Sequence, residues 1–345
     1  MAGKRVTISD VAKATGVSVG AVSRILNNDP TLNVREETKT HVRRTIAELG
    51  YSPNPQARGL RMSRSGTIAM IVPEINSPAF TAIILGAQKA ARERGYSMLL
   101  GGIGEEGDDP QLPSRILARN QVDGFLISTG TQEKEQLAAV KTLGAPSVLV
   151  NRYLDESHPH VVLDDVRGVT AIVRHLIELG HKRIGFLGGL RRYLGTRRLA
   201  GYKAALKEAG LPFDPGLAID SGYDRDGGER GASTLLSLAN RPTAIFATNH
   251  LVAAGAIHEA HRQGFNVPKD LSVASFYDGP VAELLNPAVT SVLYPLDRLG
   301  YESVAMLVDI LTGVTPATTS VIIPHDKIVV RASTGRAPTK ISRRA

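Results

Sequence analysis

The sequence contains no cysteine and no tryptophan, and aromatic residues make up only 5% of its 345 positions. Without cysteine, the chain has no disulfide framework, no thiol nucleophile and no cysteine-ligated metal site. No apolar run reaches the roughly 18 residues of a membrane-spanning helix, and residues 1–10 lack the apolar segment of a signal peptide. We therefore expect a cytoplasmic protein that does not contact a membrane.

The positive charge of the chain is concentrated at its two ends. Residues 1–65 carry 11 Lys and Arg against 5 Asp and Glu, and residues 331–345 carry 5 basic residues and no acidic one. The segment between them has 25 basic and 28 acidic residues, a net charge of −3. A basic head on such a body favours a polyanionic partner, nucleic acid first. Charge alone also fits a solvated surface.

Residues 7–26 have the pattern of two short helices joined by a turn. Thr7 is a suitable N-cap, with Asp10 in the acidic position of a capping box. Gly16 ends the first helix, and Ser18 caps the second. Two short helices around a glycine-containing turn are typical of a helix-turn-helix, whose second helix enters the major groove of DNA. A small helical domain that does not touch DNA is the alternative.

The N-terminal turns of the second helix are the candidates for contact with bases. They carry Ser18, Val19, Gly20 and, one turn further, Arg24. Arginine can pair bidentately with guanine, and valine can pack on the methyl group of thymine. A third amphipathic segment, 36–49, would complete a three-helix domain.

Residues 51–61 form a linker with a weak helical signal. Asn54 is a good N-cap, and Pro55 suits the first position of a helix. Gly59 and the short length indicate that this helix is not stable by itself. Leu60 is an isolated apolar residue in a polar, arginine-rich stretch.

From residue 66 onward, apolar strand patterns alternate with helical patterns, which predicts parallel sheets covered by helices. The strands are too many for one common sheet, so we expect an α/β body of two similar lobes. The predicted boundaries are 1–53 for the helix-turn-helix head, 54–65 for the hinge, 66–330 for the body (first lobe about 66–165 and 291–325, second about 166–290) and 331–345 for a basic tail. From Thr334 to Ala345 the tail lacks a heptad pattern and is expected to be a disordered end.

Two-lobed α/β proteins bind ligands in the cleft between the lobes, at the carboxyl ends of the strands. Polar and aromatic residues that follow the expected strands are therefore the candidates for ligand binding. They are Asn76, Phe80, Thr129, Asn151, Arg152, Arg198, Asn249, Tyr277 and Asp278. Arginine, amide and carboxylate groups beside an aromatic wall suit a polyhydroxylated or anionic small molecule. Any one of these residues could instead cap a helix or solvate a loop.

The sequence has no recognisable catalytic or cofactor motif. It contains no Walker A sequence, and the glycines at 101–104 lack the spacing of a dinucleotide-binding fingerprint. The histidines show no HExxH spacing, and His258 and His261 have no carboxylate-rich partner motif for a metal. We expect no enzymatic activity, no cofactor and no metal.

Four segments of the head and linker carry a longer pattern. They are Thr7-Ile8-Ser9-Asp10-Val11-Ala12, Gly16-Val17-Ser18, Ala21-Val22-Ser23-Arg24-Ile25-Leu26-Asn27 and Tyr51-Ser52-Pro53-Asn54, followed by Ala57 and Leu60. In this order and spacing they resemble the lactose-repressor (LacI/GalR) family of bacterial transcription regulators. The resemblance implies a helix-turn-helix head, a hinge helix at 54–61 that folds on operator DNA, and a body with the fold of periplasmic sugar-binding proteins.

The resemblance also implies which residues contact DNA. Val19, Gly20 and Arg24 would read bases, and Leu60 would wedge between base pairs in the minor groove and kink the duplex. The complete set is Thr7, Ser18, Val19, Gly20, Ser23, Arg24, Asn27, Tyr51, Asn54, Ala57, Arg58, Leu60 and Arg61. Gly20 offers no side chain where relatives often read a base, so the operator sequence stays open.

In the body, the resemblance makes Arg198, Asn249 and the aspartate after the late strand the commonest effector contacts. Two dipeptides depart from the family pattern: Asn249-His250 stands where Asn-Asp is common, and Tyr277-Asp278 where Asp-Asp is common. The phenol of Tyr277 replaces a carboxylate that grips vicinal hydroxyls, which weakens the prediction of a simple sugar.

These observations predict a homodimeric transcriptional repressor that binds double-stranded operator DNA under the control of a small molecule. Two heads on a two-fold axis would read a near-palindromic operator, and a ligand in the cleft would bias the pose of the lobes. One alternative is a regulator with a protein corepressor or with no small-molecule effector. A solute-binding protein is a weaker alternative, because the head is basic and a signal peptide is missing.

Overall fold

The computed structural model describes residues 6–51, 64–73, 75, 77–102, 115–116, 121–128, 144–191 and 193–339. The chain divides into two compact units, Met1–Ser65 and Gly66–Ala345, which we call the head and the body. Within the described ranges, no helix is long and apolar enough to cross a membrane.

The described part of the head contains three helices: α1 (Ile8–Thr15), α2 (Val19–Leu26) and α3 (Glu36–Glu48). The Thr7 N–H donates to Asp10 Oδ2 at 2.8 Å, and the Asp10 N–H donates to the Thr7 hydroxyl at 3.4 Å, which completes the capping box. Gly16 ends α1 with a left-handed φ of 71°. The apolar side chains of the three helices share a small core that contains Val11, Ala12, Val22, Ile25 and Val42. The predicted helix-turn-helix head is confirmed.

The strands of the body form two six-stranded sheets. The first sheet contains β1 (Thr67–Val72), β2 (Ser97–Gly102), β3 (Gly124–Ile127), β4 (Ser147–Val150), β5 (His160–Leu163) and β11 (Ser320–Ile323). The second contains β6 (Ile184–Gly188), β7 (Ala218–Asp220), β8 (Ala244–Ala247), β9 (Ser272–Ser275), β10 (Thr290–Leu293) and β12 (Lys327–Val329).

Both sheets have the strand order of a doubly wound fold. The first sheet runs β11-β5-β4-β3-β1-β2 with every pair parallel, and Ile68 of β1 is in register with Gly124 and Met98 on its two sides. The second sheet runs β12-β10-β9-β8-β6-β7, and only the pair β10–β12 is antiparallel. Strands β3, β5, β6, β8 and β9 are buried along their whole length, as expected where helices cover both faces.

Seven helices lie in the described part of the body, and six of them pack in pairs against these sheets. They are α4 (Pro78–Glu93), α5 (Asp165–Glu178), α6 (Tyr193–Glu208), α7 (Arg225–Leu236), α8 (His250–Arg262), α9 (Pro280–Leu284) and α10 (Leu296–Thr312). Helices α4 and α10 pack together at the first sheet, while α5 packs on α6 and α7 on α8 at the second. The predicted two-lobed α/β body is therefore confirmed.

Three crossings join the lobes, at residue 164, at 294–295 and at 324–326. The expected return to the first lobe at 291 is slightly early, because β10 still pairs with β9 of the second sheet. The Tyr294 hydroxyl, in the second crossing, donates to the Asp164 carbonyl of the first at 2.8 Å. The Tyr294 ring also lies 6.0 Å from the ring of His325 in the third. One tyrosine thus contacts all three crossings.

The beginning of the C-terminal tail is folded onto the second lobe, so the expectation of a disordered end from Thr334 onward is wrong for the described part. The Ser333 hydroxyl donates to the Val273 carbonyl at 2.6 Å. The Ala337 N–H donates to the Leu179 carbonyl at 2.9 Å. These contacts link residues distant in sequence, and a tail without a periodic pattern gives no signal of them. Residues 340–345, which include Lys340, Arg343 and Arg344, lie outside the described residues.

Two glycines allow α4 and α10 to approach backbone to backbone. A Cβ atom added to Gly300 would lie 1.9 Å from the Ile83 carbonyl oxygen, and one added to Gly86 would lie 1.9 Å from the Asp297 carbonyl oxygen. Since the clashing atoms belong to the backbone, no side-chain rotation can relieve the overlap. The first lobe therefore depends on glycine at both positions.

We expect Gly300→Ala to lower the free energy of unfolding of the body by about 1–3 kcal/mol, because overpacking must separate the two helices. Urea unfolding followed by circular dichroism measures this change. Arg298→Ala, at an exposed position of the same helix, is the control, and its effect should stay within about 0.5 kcal/mol. Equal unfolding curves for both variants would contradict the close approach.

Candidate functional site

The N-terminus of α2 presents the surface expected of a recognition helix. The Ser18 hydroxyl caps it by accepting from the Ala21 N–H at 3.2 Å. The Val19 side chain is exposed although apolar, and a Cβ atom at Gly20 would meet nothing closer than 3.9 Å. The first turn contains no acidic residue, so the partial positive charge of the helix end is available to a phosphate group.

Arg24 lies on the same helix with its guanidinium held in one direction. Its Nε donates to Asp29 Oδ2 at 2.8 Å, and its Nη2 donates to the Thr31 hydroxyl at 2.8 Å. Hydrogen bonds from Thr31 and Arg24 lower the pKa of Asp29 to about 2, so this carboxylate is ionised at neutral pH. Arg24 remains exposed, and its bonds to Asp29 and Thr31 fix the orientation of its guanidinium.

The other predicted DNA-contacting residues have mixed environments. Thr7 serves as the N-cap of α1, and Asn27 donates from Nδ2 to the Ser23 carbonyl at 2.8 Å. Tyr51 packs against the core of the head. The predicted hinge contacts lie outside the described residues: Asn54, Ala57, Arg58, Leu60 and Arg61.

Some of the predicted effector residues of the body gather around Arg198, which extends from α6 and is 1% exposed. Arg198 Nε donates to Asp165 Oδ1 at 2.9 Å, and Nη1 donates to the Thr248 carbonyl at 2.9 Å. A third nitrogen, Nη2, donates to the hydroxyl of Tyr277. The guanidinium carbon lies 4.1 Å from the ring centroid of Phe276. The side chain is thus held on several sides.

Asp165 is the buried counter-ion of this arginine, and it was not among the residues predicted from the sequence. Its side chain is fully buried, and the Arg197 Nε lies 3.8 Å from its second oxygen. Burial opposes the charge on Arg198, but neighbouring Tyr277 and Asp165 raise the pKa of its guanidinium above the usual value. The available signal was its place two residues after the end of β5, since other candidates follow the ends of other strands.

Asn151 and Tyr277 meet across the two lobes. Asn151 follows β4 of the first sheet, and Tyr277 comes shortly after β9 of the second. Asn151 Nδ2 donates to the Tyr277 hydroxyl at 3.2 Å. Arg152 lies beside them, and its Nη1 donates to the Asn151 carbonyl at 2.8 Å. Three of the predicted residues are thus brought together with Arg198.

Two other predicted effector residues have partners within their own lobe. The Asn249 side chain caps α8 by accepting from the Val252 N–H at 2.8 Å, and it donates to the Tyr223 carbonyl at 2.7 Å. Asp278 Oδ1 accepts from Arg331 Nη1 at 2.5 Å. Burial opposes its charge, but hydrogen bonds from Arg331 and other groups hold the pKa of Asp278 below its usual value.

Phe80, near the start of α4, packs against the large core of the body. Asn76 and Thr129 lie outside the described residues. The mouth of the cleft holds two tyrosines that our reading of the sequence missed. The rings of Tyr153 and Tyr193 come from opposite lobes and stack with centroids 6.2 Å apart. Tyr153 follows Asn151-Arg152 directly, which was the available signal.

Besides Asp165 Oδ2, four buried polar atoms at the carboxyl ends of strands have no hydrogen-bond partner in the described residues. They are Ser128 Oγ, Asn151 Oδ1, Thr248 Oγ1 and Ser275 Oγ. They end or follow β3, β4, β8 and β9, so both lobes contribute. Unpaired buried polar atoms are costly, and such a set suits a partner with several hydroxyl groups. Among the described residues, no group of His, Asp and Glu could hold a metal ion.

Comparison with known proteins gives matches over both units. Residues 7–54 match the family described as bacterial regulatory proteins of the lacI family, and residues 173–334 match the periplasmic binding protein-like domain. The HTH-type transcriptional regulator DegA of Bacillus subtilis (strain 168) is 32% identical over 336 residues, 96% of this chain and 98% of its own. Catabolite control protein A of Priestia megaterium is 32% identical over 95% of this chain and 99% of its own.

Solved structures agree with these relatives. The complex of the transcriptional regulator CelR with cellobiose has a TM-score of 0.74 at 32% identity, and the match covers 95% of this chain and all of that one. The lac repressor dimer bound to operator and the anti-inducer ONPF has a TM-score of 0.85 at 25% identity, and this match covers 96% of this chain and all of that one. The similarity therefore extends over the head and the body alike.

We expect Arg198→Met to destabilise the body by about 3–5 kcal/mol, because Asp165 would stay buried without its cation. The double variant Arg198→Met/Asp165→Asn should recover much of this loss, since it removes both charges. Urea unfolding measures the free energies. Arg197→Met is the matched control, because Arg197 is more exposed and more distant from Asp165, and it should cost less than about 1 kcal/mol. A double variant as unstable as the single one would contradict the pairing.

Proposed function

The chain belongs to the LacI family of bacterial regulatory proteins, it is a DNA-binding transcriptional regulator, and we propose that it represses transcription under the control of a small molecule held between its lobes. The observation that carries this proposal is the pair of sites. A capped recognition helix exposes Val19, Gly20 and Arg24, and a cleft gathers buried polar groups from both sheets. The relatives are regulators rather than enzymes, and we propose that this chain likewise acts by binding, in the cytoplasm.

The proposed DNA contact rests on the head. Its net positive charge favours the phosphate backbone, and Arg24 and Val19 offer the chemistry that reads guanine and thymine. We propose that Ser18, Ser23 and Asn27 support this contact and that residues 54–61 form the hinge helix with Leu60 as the wedge. These hinge residues lie outside the described ranges, so this part rests on the resemblance alone.

We propose that the body forms a homodimer, as the lac repressor does in its complex with operator. Helix α4 and the edge strand β2 expose the apolar side chains of Leu85 and Leu99, with Ile75 beside them, and α9 exposes Leu284. Apolar residues on an open sheet edge favour association with another chain. A two-fold dimer would present two heads to a near-palindromic operator.

The small molecule is proposed to be sugar-like or a related metabolite. The related regulator CelR is described in complex with cellobiose, and hydroxyl groups of a ligand could bond the orphaned atoms Ser128 Oγ, Thr248 Oγ1 and Ser275 Oγ of this cleft. One observation favours a second candidate, a regulator without a small-molecule effector: the Tyr277 hydroxyl already engages Arg198 and Asn151.

The test of the proposed function is a binding titration on duplex DNA selected from a random library. We expect a preferred sequence, and a linear fall of log affinity with log salt concentration whose slope reports several phosphate contacts. Adding sugars, sugar acids and nucleosides in turn should reveal one compound that shifts the affinity by about 5- to 150-fold. Selection that yields no preferred sequence would contradict the proposal.

Arg24→Ala should weaken binding to the selected sequence by about 1–3 kcal/mol and relax the preference at one base position, because a bidentate contact is lost. Competition titrations against single-base variants of the site measure both effects. Arg230→Ala is the control: it removes the same charge from an exposed position of α7 in the body and should leave the preference unchanged. If Arg24→Ala lowers affinity equally for all sequences, Arg24 contacts the backbone instead.

A further inference from the structure

We propose that Tyr277 is a built-in ligand of the cleft: its phenol joins the second lobe to the first and holds the lobes closed without a bound molecule. The inference rests on the proposed function, because it concerns the same cleft. It adds that the resting state is closed and that any effector competes with a side chain of the protein itself.

The hydrogen bonds of Tyr277 have the pattern of a ligand rather than of an ordinary core tyrosine. Its oxygen accepts from Arg198 Nη2, on its own lobe, and from Asn151 Nδ2, on the other lobe, at 3.2 Å in the latter case. A sugar hydroxyl placed between the same two donors would accept the same two bonds. The phenol therefore occupies the interlobe position that a small molecule would otherwise take.

The donor on the second lobe, Arg198, is held in place by partners other than the phenol. Arg198 is held by the Asp165 carboxylate and the Thr248 carbonyl. The ring of Tyr277 is 5% exposed, and its centroid lies 4.8 Å from the guanidinium carbon and 4.9 Å from the centroid of the Phe276 ring. Because the guanidinium cannot turn away without losing its other partners, the position of the acceptor is fixed as well.

The backbone at both ends of this contact is left-handed, and at Tyr277 it is strained. Asn151 has a φ of 55° and Tyr277 a φ of 48°. Asparagine tolerates this left-handed region, but a bulky aromatic residue there is an outlier. Strained residues persist where the surrounding structure holds them, and they cluster at ligand clamps and switches. The chain thus adopts a left-handed backbone on each lobe, unfavourable only at Tyr277, and the two left-handed residues bond each other.

The expected consequence is a penalty on effector binding. A ligand that needs Arg198 must first displace the phenol, so its apparent affinity is reduced by the small fraction of molecules in which the cleft is open. Removing the hydroxyl should remove the interlobe bond and leave the donor on Arg198 unpaired. The bond that is lost between the lobes joins two neutral groups, Asn151 and the phenol, and a bond of this kind is worth enough for about a two- to tenfold shift in the closed-to-open ratio.

The absence of cysteine from the sequence makes a distance measurement between the lobes direct. Glu156 on the first lobe and Thr196 on the second are exposed and lie close in sequence to Tyr153 and Tyr193, which stack at the mouth of the cleft. Glu156→Cys and Thr196→Cys therefore provide one labelling site on each lobe. Spin labels on this pair, in full-length protein diluted with unlabelled chains, report the separation of the lobes by pulsed electron resonance. We expect one short distance in the parent, and in Tyr277→Phe a longer population increased by about two- to tenfold.

Tyr202→Phe is the matched control. Tyr202 is also a buried tyrosine of the second lobe, but its hydroxyl donates to the Ile184 carbonyl at 2.7 Å within that lobe. Its loss should lower stability without changing the distance between the labels. Equal distance distributions for the parent and for Tyr277→Phe would overturn the proposal. A parent protein in which the long distance between the labels predominates would overturn it as well.

A rescue experiment separates the phenol from general packing. Tyr277→Gly suits the left-handed backbone and removes the whole side chain. We expect p-cresol to restore the short distance in this variant, whereas toluene, which lacks the hydroxyl, should not. Restoration by both compounds equally would show that packing, not the hydroxyl, closes the lobes, and would overturn the proposal. If Tyr277→Gly does not fold by circular dichroism, Asn151→Ala removes the partner on the other lobe and should open the cleft as Tyr277→Phe does.

Binding to the selected operator, measured on the same labelled proteins, keeps the two proposals apart. A parent that binds no preferred DNA but shows the short distance would contradict the proposed function and leave the built-in ligand standing. A parent protein that binds its operator but has an open cleft would support the proposed function and contradict the built-in ligand.

Discussion

The body is organised around a guanidinium and a carboxylate that are both withdrawn from water at the junction of the two lobes. Arg198 comes from a helix of the second lobe, and Asp165 stands where the chain first crosses from one lobe to the other. Two buried charges are tolerated only when they are paired and otherwise hydrogen-bonded. Arg198 meets this condition by engaging a carboxylate, a backbone carbonyl and a phenol, and each of these partners belongs to a different segment. The pair therefore holds these three segments of the chain next to one another.

Parallel sheets explain why so many polar groups meet at this pair. The carboxyl ends of parallel strands lie at one edge, and in each sheet the residues that follow the strands are drawn to that edge. Asn151 from the first sheet and Tyr277 from the second arrive there because β4 and β9 end at their respective edges. The three crossings between the lobes, all contacted by Tyr294, keep the two edges facing each other. The cleft is thus a consequence of topology, and its chemistry depends on a few residues after the strands.

Local sequence patterns predicted the fold well, but they did not predict contacts between residues that are distant in the sequence. The caps at Thr7 and Ser18 and the alternation of strands and helices are properties of neighbouring residues, so the sequence reveals them. The pairing of Asp165 with Arg198 joins positions 33 residues apart, and the stacking of Tyr153 on Tyr193 joins two lobes. Asn249 and Asp278 were chosen for their residue type, but a type does not show whether the group faces a ligand or a helix end. The cap that Asn249 makes with Val252 is local and was open as an alternative, whereas Arg331, the partner of Asp278, lies 53 residues away and is known only from the folded structure.

The presence of tyrosine at position 277 changes how a signal can arise in this cleft. A ligand shifts an equilibrium between two poses only by the difference in its affinity for them. Where a cleft is open at rest, a ligand that bridges the lobes supplies that difference directly. Here the phenol already supplies the bridge, so a ligand that only repeats its two hydrogen bonds would gain nothing. An effective molecule must add contacts that the phenol does not make, and the unpaired hydroxyls of Ser128, Thr248 and Ser275 are where such contacts are available. Because the tyrosine at position 277 fills the centre of the cleft, the selectivity for a ligand depends on the residues at the surrounding strand ends.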